Sequence, residues 1–256
     1  MLSPLDKQAI ARQFGRAAAL YDGSAHIQAQ VAAQMVARLA TLGLPPAARV
    51  LEIGCGTGLV TRGALASLDI GQWLATDLSP SMVAATRGHL PDDARLLVLA
   101  MDGERPALAG GFDLVCSSLA LQWFPDPAAA LAAWRRLLRP GGRLLVATLA
   151  DGTFAEWHDA QRQAGGTPVG PDYAAVETMR GWLPGLSVEP MALRERHASA
   201  RAFLDGLRRI GADYSPRHAG AGTLRRAMRA LEAAGPVAVT YQVAWLHAAA
   251  DAIDNA

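Results

Sequence analysis

A short apolar run, Arg49 to Ile53, ends in Gly54-Cys55-Gly56-Thr57-Gly58 and continues into a helix-compatible stretch from Leu59 to Leu68. Few folds accommodate a buried strand that passes through three alternately spaced glycines straight into a helix. Glycine lets the chain turn tightly and lets a ligand approach the backbone without meeting a Cβ. A turn that merely closes a strand–helix unit has no need of three of them. The junction therefore predicts an open α/β sheet with a ligand at the carboxyl edge of this strand. The spacing is G-x-G-x-G, with Glu52 two positions before the first glycine. A dinucleotide turn is usually G-x-G-x-x-G, with a pyrophosphate on the helix N-terminus, so the spacing argues against an NAD oxidoreductase.

The flanking pattern agrees. Gln72 to Thr76, Leu96 to Met101, Phe112 to Ser117 and Arg143 to Leu149 read as further strands. Helices are expected over Pro80 to His89, started by a Ser79-Pro80 cap, and over Pro127 to Leu138, stopped by Arg139-Pro140-Gly141-Gly142. Strict alternation implies right-handed crossovers and a doubly wound, Rossmann-like, mostly parallel sheet with helices on both faces. After Leu149 the rhythm changes. Helices are expected over Gly152 to Gln163, Tyr173 to Trp182, Ser199 to Ile210 and Thr223 to Ala233, with strands over Leu186 to Arg194 and Val237 to Leu246. That late strand pair, with helices between its members, predicts a helical cap over the carboxyl edge of the sheet. Two acids fall at strand ends. Asp77 stands where a carboxylate accepts both hydroxyls of a ribose, and Asp102, before Gly103, where it accepts from an adenine amino group.

Composition narrows the chemistry. The 256 residues suit one large domain or two small ones, and 51% hydrophobic with 18% charged residues excludes a disordered chain. The formal net charge of +1 disfavours a globally basic nucleic-acid binder. Lys7 is the only lysine, so Schiff-base or P-loop chemistry has almost nothing to draw on. Cys55 and Cys116 form no disulfide framework and have no metal-ligand spacing, and no metal site is expected. Met1 to Gln13 has no apolar signal-peptide core, and Ala233 to Ala250, uncharged but interrupted by Gly235-Pro236, is not a membrane span. The chain reads as a soluble cytoplasmic protein.

Five pieces in order, Leu51–Gly58, Thr76–Met82, Met101–Glu104, Phe112–Ser118 and Leu138–Val146, resemble the class I S-adenosylmethionine-dependent methyltransferases over about residues 45 to 150. The resemblance implies that Glu52, Gly54, Cys55, Gly56, Gly58, Asp77, Leu78, Met82, Met101, Asp102, Gly103 and Ser117 surround S-adenosylmethionine. Further segments, Phe14–Asp22, Ser117–Trp123, Thr148–Trp157, Phe203–Ala212 and Val239–Val243, are together similar to the malonyl-acyl carrier protein O-methyltransferases of biotin synthesis, nearly end to end. This implies one domain over 1–256: an N-terminal helical lid (1–44), a donor-binding core (45–150), a cap for substrate and carrier (151–236) and a final strand (237–250).

The implied reaction, attack of a malonyl carboxylate on a sulfonium methyl, needs no general base, because a carboxylic acid with a pKa of roughly 4 is ionised at neutral pH. No base dyad or nucleophile elbow is visible. Tyr21, Gln122 and Trp123 are the positioning candidates, and His158 reads as a partly exposed helix residue rather than a substrate contact. Arg194 to Arg229 holds nine arginines against three acids. Within it Arg208, Arg209, Arg225 and Arg226 are candidates for steering an acidic acyl carrier protein, against the plainer reading of a solvated helix face. Two alternatives stay open. One is a carboxyl methyltransferase for a free small acid such as trans-aconitate. The other is a non-methylating relative acting as an assembly factor or hydroxylase.

Overall fold

A computed structural model describes residues 6–90, 92–213 and 219–250. Seven strands form one sheet: β1 Ala48–Ile53, β2 Ile70–Asp77, β3 Leu96–Ala100, β4 Phe112–Ser118, β5 Leu138–Leu149, β6 Ser187–Arg196 and β7 Ala238–Ala249, in the spatial order β3-β2-β1-β4-β5-β7-β6. The first five run parallel, and β7 enters antiparallel between β5 and β6. β1 is buried at five of its six positions, as a central parallel strand covered on both faces must be. The order reverses between β1 and β4, and the crevice there is where an open α/β sheet receives its ligand.

Helices cover both faces. On one side α2 (His26–Thr41), α3 (Leu59–Ser67) and α4 (Pro80–His89) pack with Trp73 and Val98, and on the other α5 (Pro127–Arg136) buries Leu131 and Trp134 against Leu51 and Val115. The expected cap of α4 is present, Ser79 Oγ accepting from the Met82 amide at 3.4 Å with Pro80 at the first turn. α1 (Lys7–Tyr21) crosses the carboxyl edge of the sheet. Two glycines bring it close. A Cβ on Gly15 would stand 2.8 Å from Ser79 Oγ, and one on Gly211, at φ +72°, 2.9 Å from the Phe14 Cα. No helix among the described residues is long and apolar enough to cross a membrane.

Three local expectations are corrected. Alternation fails once: β3 and β4 are joined by non-helical chain over 101–111, held down by the Trp134 indole, which donates to the Gly103 carbonyl at 2.6 Å. The Arg139–Gly142 break is a bulge inside β5 rather than a boundary: Leu138 pairs with Phe112 and Arg143 with Leu114, and Arg139 reaches the buried Asp113. The helix expected from Tyr173 is only α7, Val176–Arg180, because the carbonyl of Ala174 accepts instead from the Asp151 amide at 2.9 Å. Between β6 and β7 the chain forms α8 (Ala200–Arg209) and α9 (Ala221–Ala233), and α6 (Ala155–Gln163) lies beneath α9.

Candidate active site

At the end of β1 the turn is tied to its neighbour strand. The amides of Gly54 and Cys55 both donate to the Thr76 carbonyl, at 2.8 and 2.9 Å. Gly54, Gly56 and Gly58 all have positive φ (+74°, +56° and +86°), where a side chain is strained. Their surroundings differ. A Cβ on Gly54 would collide with the Ala120 Cβ at 2.3 Å and one on Gly58 would press on Thr86 at 3.1 Å, whereas one on Gly56 would meet nothing within 4 Å. Gly56 therefore offers bare backbone to open space. Asp77 anchors it: one carboxylate oxygen accepts from the Gly56 amide at 3.0 Å and the other from the Ser79 amide at 2.8 Å. Burial raises the Asp77 pKa above the ordinary carboxylate range, opposed by those two amides.

That space is a cleft of about 780 Å³ counted together with the open solvent at its mouth. Gly54, Gly56 and Asp77 line one end, Leu78, Met82 and Met101 give an apolar wall, and Asp102 with Gly103 close the far side. The Asp102 carboxylate is already oriented, Oδ2 by the Lys7 ammonium at 2.8 Å and Oδ1 by the Glu104 amide at 3.0 Å. Lys7 also reaches Glu104. The lone lysine thus ties the start of α1 to the loop after β3.

A second, narrower cavity shares Phe14, Tyr21, Leu119 and Trp123 with the first. Its other walls include Leu149, Phe154, Leu207 and Ile210, with polar atoms from Gln28, Gln122, Tyr173 and Tyr241, and no residue lining it is charged. Phe14 meets Trp123 edge to face at 5.4 Å between centroids, forming the partition. Gln122 is locked, its amide donating to the Leu119 carbonyl at 2.7 Å and its Oε1 accepting from Thr148 at 3.0 Å. The Tyr241 hydroxyl is committed to Glu195 at 3.2 Å. Burial pushes the phenols of Tyr21 and Tyr173 up, with nearby Asp77 adding to Tyr21, so both remain hydrogen-bond donors at neutral pH.

Of the residues singled out from the sequence, Gly54, Gly56, Asp77, Leu78, Met82, Met101, Asp102 and Gly103 line the first cavity, Tyr21 and Trp123 line both, and Gln122 lines the second. Four expected donor contacts lie outside it. Glu52 is buried behind the turn, accepting from Thr61 and from the Trp73 indole at 2.9 Å. Burial raises its pKa to about 7, against those two donors and helped by Asp77. Cys55 faces Thr86, and Gly58 opens α3. Ser117 points back to the Ile53 carbonyl at 2.7 Å, and its neighbours Ser118, Leu119 and Ala120 take the wall instead. His158 lines a separate cavity. The four arginines do not make one face: Arg208 is held by Asp205 and Asp213, Arg209 donates to Ser24 Oγ, Arg226 donates to the Ala164 carbonyl, and Arg225 is exposed. Lys7, Phe14 and Tyr173 were missed. Only the uniqueness of Lys7 gave any signal; the other two resemble ordinary core aromatics.

Two kinds of comparison bear on this geometry. A family model described as a methyltransferase domain matches residues 51–146. A malonyl-acyl carrier protein O-methyltransferase of Magnetococcus marinus is 39% identical over 230 residues, which are 86% of this chain and 84% of that one. The chain belongs to the malonyl-acyl carrier protein O-methyltransferase family. It is a methyltransferase with a Rossmann-like sheet. The biotin biosynthesis bifunctional protein BioCD of Bordetella avium is 43% identical over 247 residues, covering 94% of this chain, which spans 52% of that longer protein. Among solved structures, the YcgJ protein of Bacillus subtilis superposes with a TM-score of 0.63 at 12% identity, over 87% of this chain and 98% of that one. A Haemonchus contortus phosphoethanolamine N-methyltransferase, solved with S-adenosylhomocysteine, gives 0.54 at 22% identity, over 85% of this chain and 52% of that one. At those identities the likeness concerns the fold.

Proposed function

We propose that this chain methylates the free carboxylate of a malonyl group carried on acyl carrier protein, in biotin biosynthesis, with S-adenosylmethionine as methyl donor. The observation that carries this reading is the pair of adjoining cavities, one suited to a nucleoside and the other free of charged lining. The first fits the donor. Gly56 leaves room for backbone approach, Asp77 keeps lone pairs for a ribose diol while its amide bonds hold it still, and Met82 and Met101 flank the base beside Asp102. When bound, S-adenosylmethionine supplies an electrophilic methyl on a sulfonium. α1, pinned through Lys7, Gly15 and Phe14, is the lid over this site, with Tyr21 at its end.

The second cavity fits a carboxylate nucleophile. A bound S-adenosylmethionine would supply its methyl group to the acceptor oxygen, the electron pair of the carbon–sulfur bond staying on sulfur, and the product would be a methyl ester. A negative and a positive charge are lost together, so the step gains from a chamber that excludes water and offers no competing cation. An arginine there would hold the carboxylate as an ion pair and blunt it. Tyr21 and Tyr173 instead give neutral hydrogen bonds that orient it. No proton is moved, so no base is required, and acceleration comes from alignment at about 3 Å. The exposed arginines of α9, Arg225 and Arg226, are proposed to steer an acidic carrier during encounter, Arg208 being engaged by Asp205 and Asp213. Transfer of labelled methyl to malonyl-acyl carrier protein, malonyl-coenzyme A and free malonate tests the reading. Preference for the carrier-bound acceptor is expected. Equal turnover of free malonate or trans-aconitate would make this a small-acid enzyme, and no transfer to any of them would overturn the proposal.

A further inference from the structure

The acceptor chamber does not end at its own walls. Gln28, Leu207, Ile210 and Tyr241 are shared with a third cavity, which opens between the start of α2 and the loop from β6 to α8. The character changes across that boundary. The inner chamber has no charged lining, whereas the outer one is lined by the guanidinium groups of Arg196 and Arg209, with His26, His197 and the Ser24 hydroxyl beside them. Arg196 and Arg209 are exposed, and neither makes an ion pair with a carboxylate among the described residues. Arg209 is aimed by its Nε hydrogen bond to Ser24 Oγ at 3.0 Å, which leaves its terminal nitrogens for another acceptor. Its neighbour Arg208 is taken up by Asp205 and Asp213 and lines a different cavity. The one carboxylate in the outer cavity, Glu195, is occupied, accepting from the Tyr241 hydroxyl at 3.2 Å and facing His197 Nε2 at 3.4 Å.

A cationic antechamber that leads to an uncharged inner chamber suits a ligand with a matching polarity sequence: an anion, then a slender neutral linker, then the reacting acyl group. An acyl carrier presents its thioester on a pantetheine arm joined to the protein by a phosphodiester, which has that order. We propose that the cavity of Ser24, His26, Arg196 and Arg209 binds the phosphodiester of the acceptor's pantetheine arm and sets how far the arm enters the chamber. The inference rests on a malonyl thioester being the acceptor. Arg209 presents two guanidinium nitrogens to the phosphate, Arg196 closes from the β6 side, and the arm passes between Gln28 and Leu207 toward Tyr21 and Tyr173.

The test compares malonyl-4′-phosphopantetheine with malonyl-pantetheine, two small thioesters that differ only in the phosphate. Neither has a carrier surface, so steering by other arginines drops out. The wild-type protein should show a KM for the phosphorylated thioester lower by about tenfold or more, the contribution of one or two charge-assisted hydrogen bonds. Arg196→Gln and Arg209→Gln together should abolish that difference by raising only the KM of the phosphorylated substrate, while Arg209→Lys should restore part of it. Thermal melts verify that each variant is folded. Equal KM values for the two thioesters in the wild type would overturn this site and leave the acceptor reading intact, as would equal losses on both in the double variant. Methylation of neither thioester by the wild type would overturn this site, and would overturn the acceptor reading as well if malonyl-acyl carrier protein were also left unmethylated.

Discussion

The two halves of the cleft are assembled from very different stretches of chain. Apart from residues of α1, every residue lining the first cavity, the proposed donor site, lies between Ile53 and Phe124. The second cavity, the proposed acceptor chamber, is gathered from Phe14 to Tyr241, with contributions from α1, α2, the end of β5, the loop before α7, α8 and β7. The donor half is a product of local rules: glycines at a strand end, an acid at the next strand end, a capped helix after it. The acceptor half depends on how a late antiparallel strand pair and its helices pack back over the sheet. A common donor needs the first to be stereotyped, and a particular acceptor is selected by the second.

Substitutions that separate the halves sharpen this contrast. The largest effect is expected from Gly56→Val. A β-branched side chain at φ +56° is strained, and its methyls would fill the open space beside the backbone. Calorimetry should find no measurable S-adenosylmethionine binding in a protein that still melts cooperatively. Normal binding would show that this turn is not the cradle.

Glu52 supports the donor half from behind, and its signature is in stability. Its pKa rises on folding to about 7, so the native state holds the proton more tightly than the unfolded chain. Its contribution is complete below the unfolded value near 4.5 and is lost as pH climbs through 7. Wild-type stability should therefore fall by something on the order of 3 kcal/mol between pH 5 and pH 8 from this group alone. Denaturant titrations of Glu52→Gln should show a flatter profile in that window. An unchanged slope would mean that Glu52 is not the titrating group.

Asp77→Ala removes the acceptor of the Gly56 and Ser79 amides together with the expected ribose contact. Donor affinity should weaken by about 1–3 kcal/mol, read by calorimetry, and unchanged affinity would take Asp77 out of the site. The acceptor half gives the smallest and most selective effect. Tyr173→Phe should leave donor affinity unaltered and lower kcat/KM for the malonyl acceptor by about 1 kcal/mol, roughly fivefold. A change in donor affinity instead would show that the two cavities are not separable at this residue.

Most of the core was legible from residues 49 to 149, because strand runs and glycine turns are encoded by neighbours in sequence. The misreadings there had local physical causes: the Trp134 indole holds down a helix-free crossover, and the Arg139–Asp113 pair lets β5 run on through its bulge. Ser117 lies behind the cavity wall because strand alternation turns it toward the Ile53 carbonyl and Ser118 toward the cavity.

By itself the sequence determined the switch-point cleft, its glycine turn and the carboxylate at Asp77, since each follows from spacing over a few residues and from the absence of a Cβ where a ligand must pass. Which aromatics wall the acceptor chamber was decided only in three dimensions. The segment Phe14–Asp22 carries family resemblance without giving Phe14 a role, and nothing around Tyr173 distinguishes it from a core residue, until Gly211 admits α1 against α8 and the shortened α7 leaves Tyr173 in the chamber. The tertiary structure likewise divided the arginines. Arg208 and Arg209 are adjacent in sequence, yet successive residues on a helix point about 100° apart, so one is spent on Asp205 and Asp213 while the other faces the antechamber.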